Sequence, residues 1–280
     1  MADMVRRRRL AAELRRLREA AQLTCDDVAA RLDCSASKIS RIENGRVLVS
    51  PRDVRDLLRI YGVPEDQSAR LIELARESRQ KGWWQSFGDS VEPQLATYLG
   101  MEGEASEIRH YNGTRIPSQL QTEGYARAVV AAHRAGSRYA DGQDRTVELM
   151  MERQRLARAT PPNVWVVLDE AAVRRQVGGR AVMRGQIEHL IALSTTRTTF
   201  LQVIPFSRGA YIAMDLPFVI LSFPDPADPD VVCTGYHTGV LWIEEPAEVG
   251  KFSTTFGHLQ AAALSLTDSA AVLTSVLNGL

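Results

Sequence analysis

The stretch Thr24 to Arg46, TCDDVAARLDCSASKISRIENGR, holds the side chains whose types and spacing most plainly suit a chemistry. Ser37, Lys38 and Arg41 fall on one side of a short helical pattern whose other side carries Ile39 and Ile42. Small, polar and basic groups on an exposed face, with aliphatic groups beneath, suit the major groove of duplex DNA. Arginine and serine reach base edges there, and cations reach phosphate oxygens. Arg41 is the expected direct reader, as a bidentate donor to guanine, with Ser37 beside it. Ala36 offers van der Waals contact, for instance to a thymine methyl.

Other residues invite weaker readings. Arg6 to Arg9 suit either an arm that neutralises phosphate or a solvated terminus. Asp169-Glu170 close a β-rich run, where α/β folds place catalytic groups, but they equally suit an acidic helix start. Gly178-Gly179-Arg180 precede a helix and suit either an anion site or a plain turn. Cys233 and His237 lie four apart in a strand-and-turn setting, so a nucleophile–base pair is not expected of them. Trp83, Trp84 and Phe87 are candidates for a ligand or partner pocket, or for sealing a junction. The histidines 110, 133, 189, 237 and 258 show no metal-ligand spacing, and no metal, cofactor or catalytic residue is expected.

The groove-reading face needs a scaffold, and the sequence supplies one. Residues 5–20 read as a helix on Leu10, Leu14 and Leu17. Thr24 with Asp27 forms an approximate capping box for a helix over 25–32. After Asp33-Cys34, Ser35 caps a helix over 36–43, which Asn44-Gly45 ends. Pro51 opens a helix over 51–61, whose apolar face is Val54, Leu57, Leu58 and Tyr61. Pro64 opens a fifth, over 65–80. Beyond Lys81-Gly82 we expect helices near 91–110, 122–134 and 142–159. Strands follow near 164–168, 199–204, 217–223, 231–234 and 240–243, with helices near 169–175 and 180–195 between the first two. Helices over 246–264 and 267–278 close the chain. The expected fold class is α+β: an all-α five-helix domain over 1–82, then a larger mixed α/β domain with flanking helices over 83–280.

Charge agrees with that division. The 280 residues carry 34 Lys+Arg and 34 Asp+Glu, a formal net charge of zero. Residues 1–82 hold 18 and 13 of them, net +5, and residues 83–280 hold 16 and 21, net −5. A basic head suits a polyanion and an acidic body does not. Three cysteines with no CxxC pair fit a reducing cytoplasm. No stretch of about 18 apolar residues is present, so no membrane span is expected.

The first region resembles the Xre/Cro/phage-repressor class of helix-turn-helix domains. The resemblance rests on Leu14, Leu17, Arg18, Leu23, Val28, Ala29, Leu32, Ser35, Ile39, Ser40, Ile42, Glu43, Asn44 and Gly45. It implies base contacts from Ala36, Ser37 and Arg41 and phosphate contacts from Lys38 and Arg46; Thr24, Ser35 and Ser40 are expected beside phosphates too. Where the class often carries a phosphate-binding glutamine, this chain has Cys25. Residues 83–280 resemble the domain of unknown function found behind such modules in actinomycete regulators, often described as antitoxin-like. The carrying segments include Trp83-Trp84, Ile108-Arg109-His110-Tyr111, Leu120 to Arg127, Arg153-Gln154, Trp165 to Ala172 and Val182 to Gln186.

These features point to a cytoplasmic, non-enzymatic, sequence-specific regulator of transcription. It would bind double-stranded DNA as a homodimer and use its second domain for effector, partner or dimer contacts. An antitoxin-like chain that holds a small partner protein and autoregulates its operon is the alternative.

Overall fold

Four residues with positive φ punctuate the first part of the chain: Gln22, Asp33, Gly45 and Gly62. Each stands just past a helix, at the place where a left-handed residue lets the chain fold back on the last turn. The helices they end are α1 (Met4–Ala20), α2 (Cys25–Arg31), α3 (Ala36–Glu43) and α4 (Pro51–Ile60). The hydrogen bonds Leu23 N–H to Arg18 O, Cys34 N–H to Ala29 O, Arg46 N–H to Arg41 O and Val63 N–H to Leu58 O close the four ends in the same way. Gly45 and Gly62 adopt this conformation without steric cost, whereas Gln22 and Asp33 hold it against their own Cβ. A fifth helix, α5 (Glu65–Glu77), follows Pro64. The computed structural model describes residues 4–79, 82–134, 143–226, 228–236 and 239–280.

The chain divides into two units: Met1–Ser86 with Leu95–Glu104, and Phe87–Gln94 with Ala105–Leu280. The first has one core. Leu10 and Leu14 of α1, Val28 and Ala29 of α2, Ile39 and Ile42 of α3, and Val54, Leu57 and Leu58 of α4 are buried together with Tyr61 and Ala75. These are the apolar positions that helical periodicity selects in the sequence. Leu95–Glu104 contains most of α6 (Pro93–Glu102).

The second unit is built on a six-stranded sheet ordered β3-β2-β1-β4-β5-β6. The strands are β1 (Glu107–Asn112), β2 (Asn163–Asp169), β3 (Thr199–Ile204), β4 (Phe218–Ser222), β5 (Val231–Tyr236) and β6 (Gly239–Ile243). β1, β2 and β3 run parallel, while β1-β4-β5-β6 are antiparallel. Val166 and Leu168 of β2 face one side with Leu201 and Val203, against α10 (Arg180–Ser194) and α12 (Leu266–Gly279). Val167 faces the other side with Tyr111, Phe218, Ile220 and Val232, against α11 (Pro246–Ala262). The fold is α+β, as expected. Among the described residues no single helix is long and apolar enough to cross a membrane.

One expectation is overturned. The helix expected near 91–110 ends at Glu102, and Glu107–Asn112 is instead the strand that joins the parallel and antiparallel halves of the sheet. Its residues, EIRHYN, look neither apolar nor cleanly alternating. They form a strand because β2 and β4 supply backbone partners on both sides.

The segment from β1 to α7 (Glu123–Arg134) is held by glutamine side chains. The Gln186 amide donates to Leu120 O at 2.7 Å, and its carbonyl accepts from Thr122 N–H at 2.7 Å. Gln154 donates to Ser118 O and Gln121 O, and Gln121 donates to Ile116 O. Gln186 is fully buried, so its loss strands two backbone groups. Gln186→Leu is therefore expected to destabilise the chain by about 2–4 kcal/mol, read from the urea midpoint. An unchanged midpoint contradicts this account of the loop.

His110 on β1 is half-buried, with its Nδ1 enclosed and, among the described residues, without a hydrogen-bond partner. Burial, aided by the charges of Arg153 and Arg115, pushes its pKa down to about 3. The unfolded chain takes up this proton near pH 6.5 and the folded chain does not, so stability from this group falls on acidification below 6.5. From pH 7 to 5 the loss is at most about 2 kcal/mol. His110→Asn is expected to flatten that part of the stability–pH curve, and superimposable curves for the two proteins contradict it.

Candidate nucleic-acid interface

The recognition face depends on what holds α3 in place. Glu43, its last residue, is buried and accepts from Arg18 Nε through both carboxylate oxygens at 2.9 Å. Arg18 also donates through Nη1 to Leu23 O at 2.7 Å, tying α1 to the entrance of α2. Tyr61, at the end of α4, donates its hydroxyl to Glu43 Oε1 at 3.2 Å. Burial, reinforced by the Glu43 carboxylate, holds the Tyr61 phenol far above its usual range, so it remains a donor. One carboxylate thus links α1, α3 and α4.

Caps set the two helix starts. Thr24 O–H donates to Asp27 Oδ2 at 2.6 Å and accepts from Asp27 N–H at 3.1 Å, while Thr24 N–H donates to the same carboxylate at 2.8 Å. The capping box is complete, with aspartate where glutamate or glutamine is usual. Those bonds, the Thr24 hydroxyl first, hold the Asp27 carboxyl below its ordinary pKa. Ser35, which is exposed, accepts from Lys38 N–H at 3.2 Å.

The structure brings the expected readers onto one helix and its exit. Ser37, Lys38, Ser40 and Arg41 of α3 are exposed, as is Arg46 just beyond. Arg41 Nε makes a long 3.4 Å hydrogen bond to Ser37 O and leaves its terminal nitrogens outward. Lys38 lies 3.9 Å from Asp53 of α4, an exposed pair of little strength. Ser40 Oγ accepts from the Asn44 amide at 3.3 Å. Two of the residues differ from the others. Ala36 is half-buried and packs on the core, and the Thr24 hydroxyl is already engaged as donor and acceptor within the cap.

Two further cations were not legible as part of this surface. Arg52 and Arg55 on α4 are exposed. Among the described residues, no carboxylate lies within ion-pair distance of Arg31, Arg41, Arg46, Arg52 or Arg55. The arginines of α1 differ: Arg15, Arg16 and Arg18 pair with Glu19, Glu13 and Glu43. Arg6 lies within α1 rather than on an extended arm, 3.5 Å from Glu77 and 3.2 Å from Glu104. The signal for Arg52 and Arg55 lies in the +5 charge of residues 1–82 and not in the apolar periodicity that marks α4.

The other candidates take structural places. Asp169 caps α9 (Glu170–Arg174) through Ala171 N–H at 2.7 Å and accepts from Tyr211 O–H at 2.5 Å. Glu170 is buried, accepting from Arg174 and from Phe206 N–H. Gly178 lies where a Cβ would stand 2.9 Å from that of Ala128, and Arg180 donates to the terminal carbonyls of Gly279 and Leu280. His237 is outside the described residues. Trp83 and Trp84 belong to the first unit, their rings edge to face at 5.8 Å, and Trp84 is buried over Gly82. Phe87 belongs to the second unit, with Arg145 over its ring at 5.3 Å.

Two short helices joined by a tight turn, with α1 and α4 bracing them and free cations on one side, define a helix-turn-helix DNA-binding module. Residues 9–71 match the family described as "Helix-turn-helix domain". Residues 95–275 match "Domain of unknown function (DUF5753)". That second match spans well over half of the chain, and the chain belongs to the DUF5753 family. Searches of curated proteins and of solved structures returned no match. The chain is a DNA-binding regulator of helix-turn-helix type with a DUF5753 domain behind it.

Because Glu43 is buried against a charged partner, Glu43→Ala strands the Arg18 guanidinium. We expect a loss of about 3 kcal/mol in the unfolding free energy of the full chain. Adding Arg18→Met is expected to recover most of it. A double variant no more stable than Glu43→Ala contradicts the pairing as the cause.

Proposed function

We propose that this chain is a sequence-specific transcriptional regulator that binds operator DNA as a homodimer. In this reading Arg41 and Ser37 read base edges, with Ala36 at their margin. Lys38, Arg46, Arg52 and Arg55 anchor phosphates, Ser35 and Ser40 donate from the helix, and Thr24 acts through the cap that positions α2. The observation that carries the reading is the distribution of arginines. Arg6, Arg15, Arg16 and Arg18 of α1 pair with carboxylates, while among the described residues no carboxylate lies within ion-pair distance of Arg41, Arg46, Arg52 or Arg55 around α3 and α4. Cations left unpaired repel one another, and a polyanion relieves that.

The second unit supplies dimer, effector or partner contacts, with its Phe87 as a candidate pocket residue. The chain acts by occupying DNA and not by catalysis. Asp169 and Glu170, which lie where an α/β fold would put catalytic carboxylates, are spent on a helix cap and a loop clamp. A second reading, the antitoxin-like one, is favoured by Phe206 and Ile212. These side chains are 57% and 50% exposed on the loop after β3, and a small partner protein would cover them.

Genome-wide mapping of bound DNA tests the function, since a chain with no reproducible sites near promoters is not this regulator. Residue roles separate in a titration at several salt concentrations. Arg41→Ala is expected to lower operator affinity about 10- to 100-fold while retaining non-specific binding. Arg52→Ala and Arg55→Ala are each expected to weaken binding to all sequences alike and to reduce the salt slope by about 1. An Arg41→Ala protein with unchanged operator affinity shows that α3 is not the reader.

A further inference from the structure

The two edges of the sheet differ. On the β3 edge, Val203 N–H donates to Ser269 Oγ and Val203 O accepts from Leu264 N–H, each at 2.9 Å. Gln202 also donates to Leu264 O at 2.8 Å. The link between α11 and α12 therefore seals that edge. At the other end β6 is paired, among the described residues, on one side, with β5. None of its five residues is buried, and Leu241 is 51% exposed. Its sequence, GVLWI, has no charge and no proline. Natural edge strands are guarded by a charge, a proline, a bulge or a cover, and an apolar edge lacking the first two is a template for another strand.

We propose that β6 is the dimer seam. Two copies pair their β6 strands antiparallel about a twofold axis at Leu241, joining two six-stranded sheets into one. The inference rests on the dimeric reading above and names its surface. A second copy is the occupant because the strand complements itself. In this register Val240 lies opposite Trp242 of the partner subunit and Gly239 opposite Ile243 of the partner subunit. A β-branched residue meets an aromatic one and the smallest residue meets a large one, twice over. The sealed β3 edge stops growth at two copies, so the interface is closed. Five residue pairs cover less than the roughly 1,200 Å² that a stable interface needs. More apolar surface lies close by, because Pro217 O accepts from Thr234 Oγ1 at 2.9 Å and Thr234 is the register partner of Leu241. Leu216, just before Pro217, is 40% exposed.

Sedimentation of the full chain tests the seam. The wild-type chain is expected to be a dimer at micromolar concentration. Leu241→Arg changes an exposed side chain, so it should fold as judged by circular dichroism and sediment as a monomer, with dimer affinity at least about 100-fold weaker. Leu241→Cys, with the three native cysteines kept, is expected to form a 241–241 disulfide on mild oxidation. Directly opposed residues of an antiparallel pair stand about 4.5–5.5 Å apart at Cα, within disulfide reach. A peptide map locates that bond. A monomeric wild-type chain, a Leu241→Arg protein that stays dimeric, or a cross-link that avoids residue 241 overturns the seam. Arg41→Ala, run in parallel, is expected to remain a dimer. A dimer that binds no mixed-sequence 20-base-pair duplex at low salt overturns the regulator and supports the seam.

Discussion

The Glu43 carboxylate is the constraint on which the DNA-reading unit depends. It sits at the last residue of the recognition helix, away from water, and receives Arg18 and Tyr61. A buried carboxylate without donors would cost several kcal/mol, so the helices that supply those donors cannot drift from the one that carries the charge. The pair does not need to add stability to matter. It makes one mutual arrangement of α1, α3 and α4 far better than its neighbours, and Ser37, Arg41 and Arg46 inherit their positions from it.

The second unit solves a different problem with the same chemistry. The chain leaves β1 through a segment with little regular structure, and its backbone groups must be satisfied there. Gln121, Gln154 and Gln186 satisfy them, without bringing a charge inside. Several residues that carry the family resemblance are therefore explained by loop support rather than chemistry. Asp169 and Glu170 follow the same pattern. Tyr211 donates to Asp169 while the Tyr111 and Tyr211 hydroxyls lie 3.0 Å apart, so these groups bind the loop after β3 to the ends of β1 and β2.

Electrostatics separates the arginines into two populations that composition cannot distinguish. Arg15 and Arg16 of α1 are close to acidic residues three or four positions away, and Arg18 reaches Glu43 across the core. Among the described residues Arg41 of α3 and Arg52 and Arg55 of α4 are not, whereas Arg59 of α4 lies 3.4 Å from Asp56. A sum over the chain gives zero, a sum over the first region gives +5, and only the distances show which arginines are available to a phosphate.

The sequence by itself determined the helix-turn-helix. Its signals are local: Thr24 bonds three residues ahead, Ser35 three ahead, Gly45 turns the chain directly after α3, and the apolar period repeats within each helix. Interactions of that range survive being read one residue at a time, and α2, α3 and α4 begin at the positions those signals mark. The strands β2 to β6 were legible from their β-branched and aromatic runs. The tertiary structure alone decided that Glu107–Asn112 is a strand, because its backbone partners are 56 to 115 positions away in β2 and β4. It alone placed Leu95–Glu104 with the first unit, paired Arg18 with Glu43, and left Arg52 and Arg55 without a carboxylate partner among the described residues. Each of these depends on which distant groups the fold brings within a few ångströms, and no local pattern of residues encodes that distance.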